Sequence, residues 1–287
     1  MDGRGPFFEK ITVAGVGLIG ASFAMAVRRN GLAAAVSGYG RNAGNLKRAA
    51  DRGIIDTFSV DPAEACRDCD LLFLSAPVGA FTSIINEMKG ALKRGCLVTD
   101  AGSVKGRLVA ELESLMPDGV RFIGAHPIAG GEKSGIDDAR ADLFRGARCI
   151  ITPTERSDGE ALDMVTSLWQ HVGAVTEIMD PHRHDAVFGL MSHLPHVVAY
   201  ALVNTVGAVD EEMIGYAGQG FRDTTRIAMS SPELWRDIVL HNGANILRAA
   251  DAFRDCLDRI IGALRENDPS LTEREFRKAQ ELRKRLS

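Results

Sequence analysis

Residues 11–20 read ITVAGVGLIG, a short strand-forming run followed at once by three glycines at the spacing G-x-G-x-x-G. In such a motif Gly15 allows a tight turn, Gly17 leaves room for a pyrophosphate, and Gly20 lets the next helix pack close to the strand. Because the pyrophosphate binds at the N-terminus of that helix, we expect Leu18 and Ile19 to belong to the same site. The stretch therefore predicts a strand, a dinucleotide-binding turn and a helix.

Short apolar runs alternate with helical patterns over residues 1–179, which is typical of βαβ units around a mostly parallel sheet. Strands are predicted at residues 11–14, 35–39, 71–74, 96–99 and 121–124, with two more at 148–151 and 174–178. Helices are predicted at residues 21–30, 43–52, 104–115 and about 158–171. These elements predict an α/β dinucleotide-binding domain of the Rossmann type.

From residue 180 onward only helical periodicity remains, so residues 180–287 are predicted to form an all-α domain that binds substrate. One apolar stripe recurs at steps of three and four residues: Ile246, Leu247, Ala250, Phe253, Leu257, Ile260, Ile261 and Leu264. A short helical segment is too small to bury this stripe alone, so we expect a homodimer through this domain. The last helix is predicted to begin at a capping box, residues 270–273.

Composition restricts the class of protein. The 287 residues are 45% apolar and 25% charged, with a net charge of −4, and both signs are spread along the chain. This balance predicts neither a nucleic acid nor a membrane as partner, and no stretch reaches the ~18 uncharged apolar residues of a membrane span. We expect a cytoplasmic protein without a signal peptide.

The five cysteines form an odd set without the density of a disulfide framework, which fits a reducing compartment. Cys66 and Cys69 have the spacing of a zinc or redox pair, but a zinc ribbon needs a second pair that the chain lacks. We interpret both as plain thiols.

The end of the second predicted strand bears on the choice of cofactor. An NAD-binding fold usually has an acid there, which accepts hydrogen bonds from the ribose, whereas this chain has Gly40 and Arg41. Glycine leaves room for a 2′-phosphate and a guanidinium can pair with it, so the sequence modestly favours NADP. NAD remains open, because it can bind with weaker ribose contacts.

Ligands of open α/β sheets bind at the carboxyl ends of the strands, and small or polar residues stand at these positions. Ser75 and Pro77 follow the third of the five strands predicted first, Ser103 follows the fourth and His126 the fifth. His126 is the best candidate for a general base, because imidazole titrates near neutral pH. Ser103 could orient the reacting hydroxyl or the nicotinamide amide. The alternatives are that His126 fills a turn and that Ser103 only caps a helix.

The helical domain contains two further polar groups. Four of the seven histidines lie within fifteen positions, at 182, 184, 193 and 196, but their spacing matches no zinc signature and we predict no metal. Arg222 and Arg226 stand four residues apart beside glycines, so they could bind carboxylates bidentately. The alternative is a solvated helix face.

The chain resembles the prephenate/arogenate dehydrogenase family in six motifs that follow one another in order. They are GVGLIG at 15–20, DAGSVK at 100–105, HPIAG at 126–130, EKSG at 132–135, SHLPH at 192–196 and RDTTR at 222–226. The resemblance implies an oxidative decarboxylation in tyrosine biosynthesis by a monofunctional, short form, with neither a chorismate mutase segment nor a regulatory domain.

The resemblance also implies roles for individual residues. His126 corresponds to the catalytic base, Ser103 helps to place the ring hydroxyl, and Arg226 is the main anchor for a carboxylate. The pocket would be lined by His193 and His196. Gly131 lies in the substrate site and stands where relatives often have a threonine or another polar residue.

Two other functions remain possible from the sequence. A hydroxy-acid or imino-acid dehydrogenase can share this architecture, but such enzymes usually use a lysine of the helical domain, and residues 180–209 contain none. A non-catalytic NADP-binding sensor would bind cofactor without turnover, which a histidine at the nicotinamide end disfavours. The preference between prephenate and arogenate stays open.

Overall fold

The structure, a computed structural model, describes residues 7–131 and 135–286. These residues contain eight strands that form one sheet in the order β3-β2-β1-β4-β5-β6-β7-β8. The strands are β1 (Phe8–Ala14), β2 (Ala33–Tyr39), β3 (Thr57–Ser59), β4 (Leu71–Leu74), β5 (Leu97–Asp100), β6 (Arg121–Pro127), β7 (Arg148–Thr152) and β8 (Val175–Ile178). All neighbours are parallel except β6 and β7, which are antiparallel. The predicted mostly parallel α/β sheet is confirmed.

The N-terminal half, which we define as the residues up to 179, contains six helices in its described part. They are α1 (Leu18–Arg29), α2 (Ala43–Asp51), α3 (Pro62–Cys66), α4 (Phe81–Met88), α5 (Gly106–Leu115) and α6 (Gly159–His171). The helical half, from residue 180 onward, contains α7 (Pro181–Phe188), α8 (Leu194–Val209), α9 (Gln219–Thr225), α10 (Pro232–His241), α11 (Gly243–Arg265) and α12 (Pro269–Arg283). The predicted all-α second half is confirmed.

Several predicted boundaries differ from the structure. The short edge strand β3 was not predicted, because three residues carry too little pattern, so six strands rather than five run in parallel. Strand β6 extends to Pro127, which places His126 inside the strand rather than after it. Helix α5 begins at Gly106 with Lys105 as its N-cap, so Ser103 lies in the preceding loop and does not cap the helix.

The predicted capping box at residues 270–273 is wrong. Helix α12 begins at Pro269, and the carboxylate of Asp268 accepts a hydrogen bond from the Leu271 N–H at 2.9 Å. Proline at the first position of a helix is favoured because it has no N–H that needs a partner there. Asp268 followed by proline is therefore a stronger start signal than the serine two residues later.

The turn between β1 and α1 explains the three glycines. Gly15 has a φ of +103°, and a Cβ there would lie 2.5 Å from the backbone nitrogen of Ala76. A Cβ on Gly20 would lie 2.1 Å from the Gly15 carbonyl oxygen, so helix and strand meet at a distance that only glycine permits. A Cβ on Gly17 would meet nothing within 4 Å, so the space above this residue is open.

The helical half begins with an unusual 29-residue helix. Helices α7 and α8 are joined by a π-helical turn, Gly189–His193, into one continuous helix, Pro181–Val209. By length and composition alone this helix could cross a membrane. The expectation that no stretch of the sequence is long and apolar enough for a membrane span is therefore wrong. Only 22% of its most apolar window is buried in the single chain, although its first turns pack against α5.

The predicted apolar stripe of the helical half is only partly covered. Ile246 is buried, whereas Leu247, Phe253, Leu257 and Leu264 of α11 are exposed. An apolar face this extensive on one side of a domain marks an interaction surface.

The cysteines in the described residues are free thiols, and those other than Cys256 are buried. The Sγ atoms of Cys69 and Cys96 are 3.7 Å apart, and burial raises the pKa of Cys66 to about 11. The buried thiols are part of the hydrophobic core, which keeps them away from reagents in solution.

Replacing Gly20 by alanine tests the close packing of the turn. We expect Gly20→Ala to lower the free energy of unfolding by about 1–3 kcal/mol, because the new methyl group overlaps a backbone oxygen that cannot move freely. Urea denaturation measures the change. The matched control is Gly159→Ala at the start of α6, where a Cβ meets nothing within 4 Å and stability should change by less than about 0.5 kcal/mol. Equal losses in both variants would contradict the packing argument.

Candidate active site

The first cavity lies at the carboxyl ends of β1, β2 and β4 and has a volume of about 630 Å³. Six of the residues predicted to bind cofactor line it: Gly15, Gly17, Gly40, Arg41, Ser75 and Pro77. Gly17 is the N-cap of α1 and provides no side chain, so the first N–H groups of this helix are open to a ligand. Such a helix N-terminus attracts an anion. The cavity therefore suits the pyrophosphate and adenosine of a dinucleotide.

The other residues predicted for this site lie next to the cavity rather than in its wall. Gly20 packs beneath the turn, and Leu18 packs against the core. Ile19 packs against the same core, and its Cδ1 would be 3.7 Å from a Cβ at Gly130. Because Gly130 lines a second cavity, the glycine turn lies close to both cavities.

Charges of both signs line the first cavity. Arg41 is exposed at its rim, and Gly40 leaves open space because a Cβ there would touch only Leu46, at 3.6 Å. Glu87 of α4 also lines the cavity and accepts a hydrogen bond from Ser83 Oγ at 2.7 Å. Burial, together with this carboxylate, raises the pKa of Tyr39. Sequence reasoning missed Glu87, because nothing in the sequence indicates that α4 faces the end of β2.

The second cavity, of about 660 Å³, lies between the end of β6 and the helical half. It brings together five of the residues predicted for catalysis or substrate binding: Ser103, His126, Gly131, His196 and Arg226. Phe188, Ser192, Ser231 and Trp235 also line it. A concave site with apolar rings, hydroxyls and one guanidinium suits a small, partly apolar anion.

His126 is largely buried and is the first member of a chain of hydrogen bonds. Its Nδ1 lies 2.8 Å from Nε2 of His184, and Nδ1 of His184 lies 2.9 Å from Oδ1 of Asp185. Burial lowers the pKa of His126 well below the usual value, and the nearby positive charge of Lys105 lowers it further. His126 is therefore neutral at neutral pH, which is the state a general base requires.

Asp185 connects this series of hydrogen bonds to the start of α5. Its Oδ1 accepts a hydrogen bond from the Lys105 backbone N–H at 2.7 Å, and its Oδ2 accepts one from the Gly106 N–H at 2.9 Å. The carboxylate thus satisfies two N–H groups at a helix N-terminus, where negative charge is favourable. A Cβ on Gly106 would lie 2.6 Å from Asp185 Oδ2, so glycine is needed at this position.

A buried ion pair shapes the loop that carries Ser103. Lys105 Nζ lies 2.5 Å from Asp100 Oδ2 and donates to the Gly102 carbonyl oxygen at 2.7 Å. The other oxygen of Asp100 accepts a hydrogen bond from the Ala125 N–H at 3.0 Å. Both charged side chains are 1% exposed, so removing either would leave an unpaired buried charge. The pair fixes Ser103 relative to His126.

The two histidines of the SHLPH motif have different positions. His196 lines the second cavity, its ring stacked on Trp235 at a centroid distance of 3.6 Å, and burial lowers its pKa. His193 is buried behind the wall, with Nδ1 3.0 Å from Asn242 Nδ2, and burial lowers its pKa to about 4. Its Nε2 has no hydrogen-bond partner within residues 7–131 and 135–286.

The two arginines of the RDTTR motif do not act together in the structure. Arg226 lines the second cavity, whereas Arg222 is exposed and its Nε donates to the Ala217 carbonyl oxygen at 3.2 Å. They therefore do not form the bidentate clamp that their spacing allowed. Glu132 and its two successors in the EKSG motif lie outside the described residues.

Sequence reasoning assigned no role to His184, Asp185, Lys105, Asp100, Asn242 or Trp235. Lys105 carried no local signal, because a lysine is almost always solvated unless a charged partner is buried with it. His184 and Asp185 had none, since only the packing of α7 against α5 brings them to His126. Among the described residues, no three His, Cys, Asp or Glu side chains are arranged to hold a metal ion.

The two halves of the chain match two adjacent family descriptions. Residues 23–178 match "Prephenate dehydrogenase, nucleotide-binding domain", and residues 180–278 match "Prephenate dehydrogenase, dimerization domain". The cyclohexadienyl dehydrogenase of Zymomonas mobilis is 32% identical over 280 residues, which cover 96% of this chain and 95% of that protein.

Solved structures agree with this similarity. Prephenate dehydrogenase from A. aeolicus, in complex with hydroxyphenyl propionate and NAD+, matches with a TM-score of 0.91 and 37% identity over 97% of this chain and 98% of that one. Synechocystis arogenate dehydrogenase matches with a TM-score of 0.80 and 29% identity over 97% of this chain and 100% of that one. The two cavities, the buried histidine in the wall of the second one and these matches lead to one conclusion: the chain belongs to the prephenate dehydrogenase family.

Proposed function

We propose that this protein catalyses the oxidative decarboxylation of prephenate, arogenate or both with NAD(P), giving 4-hydroxyphenylpyruvate or tyrosine. The observation that carries the proposal is a neutral, buried His126 in the wall of a cavity that adjoins the dinucleotide cavity. Relatives named prephenate, cyclohexadienyl and arogenate dehydrogenases support this substrate class.

The reaction needs few groups from the protein. The bound nicotinamide would accept a hydride from the ring carbon that carries the hydroxyl group. His126 takes the hydroxyl proton through Nε2, which accepts no hydrogen bond from the described residues. The bond to the ring carboxylate breaks, its electron pair enters the ring, and carbon dioxide leaves. Since the ring becomes aromatic, the phenolate oxygen can take the proton back from His126, and the base is regenerated.

Other residues of the second cavity bind and orient the substrate. We assign a carboxylate to Arg226, because it contributes a guanidinium to the cavity wall. Ser103, held by the loop between β5 and α5, lies in the same wall as His126 and suits the ring hydroxyl. His196 on Trp235 offers a flat surface for the ring or its side chain. Gly131 leaves space at the rim, and His193 supports the wall from behind through Asn242.

For the cofactor we propose acceptance of both dinucleotides with a modest preference for NADP. The space at Gly40 and the guanidinium of Arg41 favour a 2′-phosphate, whereas Glu87 in the same cavity disfavours it. The relative from A. aeolicus was solved with NAD+. The proposed preference for NADP therefore rests on Gly40 and Arg41 of this chain and not on that relative.

We also propose that two copies associate through the helical half, residues 180–287, in the cytoplasm. The apolar side chains left exposed on α8 and α11 support this assembly, as does the description "dimerization domain" for the family match over residues 180–278. A partner copy would cover the apolar face of the long helix Pro181–Val209. The boundary between the two domains then lies at 179 and 180, between β8 and α7.

A matrix of prephenate and arogenate against NAD and NADP, followed by absorbance of the reduced nicotinamide, tests the proposed function. We expect turnover with at least one cyclohexadienol and a loss of about 10²-fold or more in His126→Asn with cofactor binding retained, because the variant lacks a general base. No turnover in the four combinations, or unchanged turnover in the variant, would contradict the proposal.

The pair of arginines allows a matched comparison. Arg226→Ala should raise the apparent KM by about 10²-fold, because a carboxylate in the cavity loses its charged partner. Arg222→Ala removes the same charge from a position outside the cavity wall and should change KM by less than about threefold. Steady-state kinetics distinguish the two, and similar effects of both changes would show that our assignment of the anchor is wrong.

Arg41→Ala tests the cofactor preference. Because a charge-assisted hydrogen bond to a phosphate contributes about 1.5–3 kcal/mol, the variant should lose about tenfold or more in kcat/KM for NADP. The value for NAD, which lacks the 2′-phosphate, should change by less than about threefold under the same conditions. Equal losses of kcat/KM for both cofactors would mean that Arg41 does not distinguish the 2′-phosphate of NADP from the 2′-hydroxyl of NAD.

A further inference from the structure

We propose that His184 and Asp185 are positioning residues, which hold His126 as the tautomer with a proton on Nδ1 and a lone pair on Nε2. The inference rests on the proposed function and extends it, because it assigns the protonation pattern of the base to two residues of the helical half. Neither residue lines the second cavity. They would act on the substrate only through His126.

The direction of each hydrogen bond in the series His126–His184–Asp185 follows from Asp185, the residue farthest from the substrate. Backbone N–H groups can only donate, so Asp185 accepts from Lys105 at 2.7 Å and from Gly106 at 2.9 Å. A carboxylate engaged in this way is an acceptor, and Nδ1 of His184, 2.9 Å from Oδ1, must then carry a proton. The orientation of Asp185 therefore determines the tautomer of His184.

The hydrogen bond between His184 and His126 makes the tautomer of His126 depend on that of His184. A neutral His184 with a proton on Nδ1 has a lone pair on Nε2, which lies 2.8 Å from Nδ1 of His126. His126 must donate this hydrogen bond, and its own Nε2 is left without a proton. His184 is fully buried, and burial lowers its pKa, so it stays neutral at neutral pH. A charged His184 would donate instead and would reverse the tautomer of the base.

The same arrangement stabilises the state formed during the reaction. When His126 has taken a proton it is an imidazolium, and its Nδ1–H donates to a histidine that is itself hydrogen-bonded to a carboxylate. Hydrogen bonds that involve a charged group are stronger than those between neutral groups. The hydrogen bonds through His184 and Asp185 therefore stabilise the imidazolium form of His126 after it has taken the proton. Phe188, whose ring centroid is 4.4 Å from that of His184 and 5.0 Å from that of His126, keeps both rings in place.

The chain of bonds crosses between the two halves of the protein. His126 belongs to β6, whereas His184 and Asp185 belong to α7. Asp185 returns to the N-terminal half by capping α5, and Asn242, between α10 and α11, donates to its backbone carbonyl oxygen at 2.8 Å. The base has its reactive tautomer only while α7 is docked on α5. Correct contact between the two halves is thus a requirement of the chemistry as well as of folding.

His184→Phe tests the inference, because phenylalanine keeps a ring against Phe188 but cannot accept a hydrogen bond from His126. We expect kcat to fall by about 10²-fold or more, as it does when a catalytic histidine loses the group that sets its tautomer. The apparent KM and the dissociation constant of the cofactor should stay within about threefold, since Arg226 and the glycine turn are untouched. Cofactor titration also shows that the variant is folded, and His184→Leu repeats the test if the phenyl ring does not fit.

Two further variants separate positioning from general stability. In His184→Gln the amide oxygen can accept from His126 while the amide nitrogen donates to Asp185, so we expect at least about tenfold recovery of kcat over His184→Phe. His182→Phe changes an exposed histidine two residues earlier in α7 and should keep the wild-type kcat. The inference is overturned if His184→Phe keeps a kcat within threefold of the wild type, or if the glutamine variant is as slow as the phenylalanine variant. Wild-type turnover in the same assay tests the proposed function separately.

Discussion

The carboxylate of Asp185 at the N-terminus of α5 is the contact on which the site depends. It satisfies two backbone N–H groups of one half of the protein with a side chain from the other, at 2.7 and 2.9 Å. A buried helix end without such a partner would be unfavourable, so α7 docks in one register. That register brings His184 to His126 and sets the distance between the helical half and the end of β6. Gly106 is part of the same constraint, because no larger residue leaves room for the carboxylate.

Two separate features fix the backbone beside the two cavities. The glycine turn fixes where the pyrophosphate lies, because Gly15 and Gly20 permit backbone contacts that any Cβ would prevent. The ion pair of Lys105 and Asp100 fixes the loop of Ser103 and ties it to the residue before His126. The ion pair is buried, and the glycine turn is held by close backbone contacts.

Local patterns predicted most of the fold and part of the site. Strand β4 and the start of α2 agree with the prediction to the residue, because apolar runs and helical patterns are local signals. His126 and Arg226 were found from their positions beside a strand end and in a motif. His184 and Asp185 could not be found, because their roles depend on a contact between segments about 80 residues apart. The spacing of Arg222 and Arg226 alone could not separate the two arginines, and only the resemblance to the family named Arg226 as the anchor.

The central claim is that Nε2 of His126 carries a lone pair directed at the substrate. Nitrogen NMR of the enzyme with labelled histidine, assigned by comparison with His126→Asn, measures this directly at neutral pH. We expect a protonated Nδ1 and an unprotonated Nε2 for His126, and the same pattern for His184. A proton on Nε2 of His126 in the free enzyme would contradict it, because that tautomer cannot accept the hydroxyl proton.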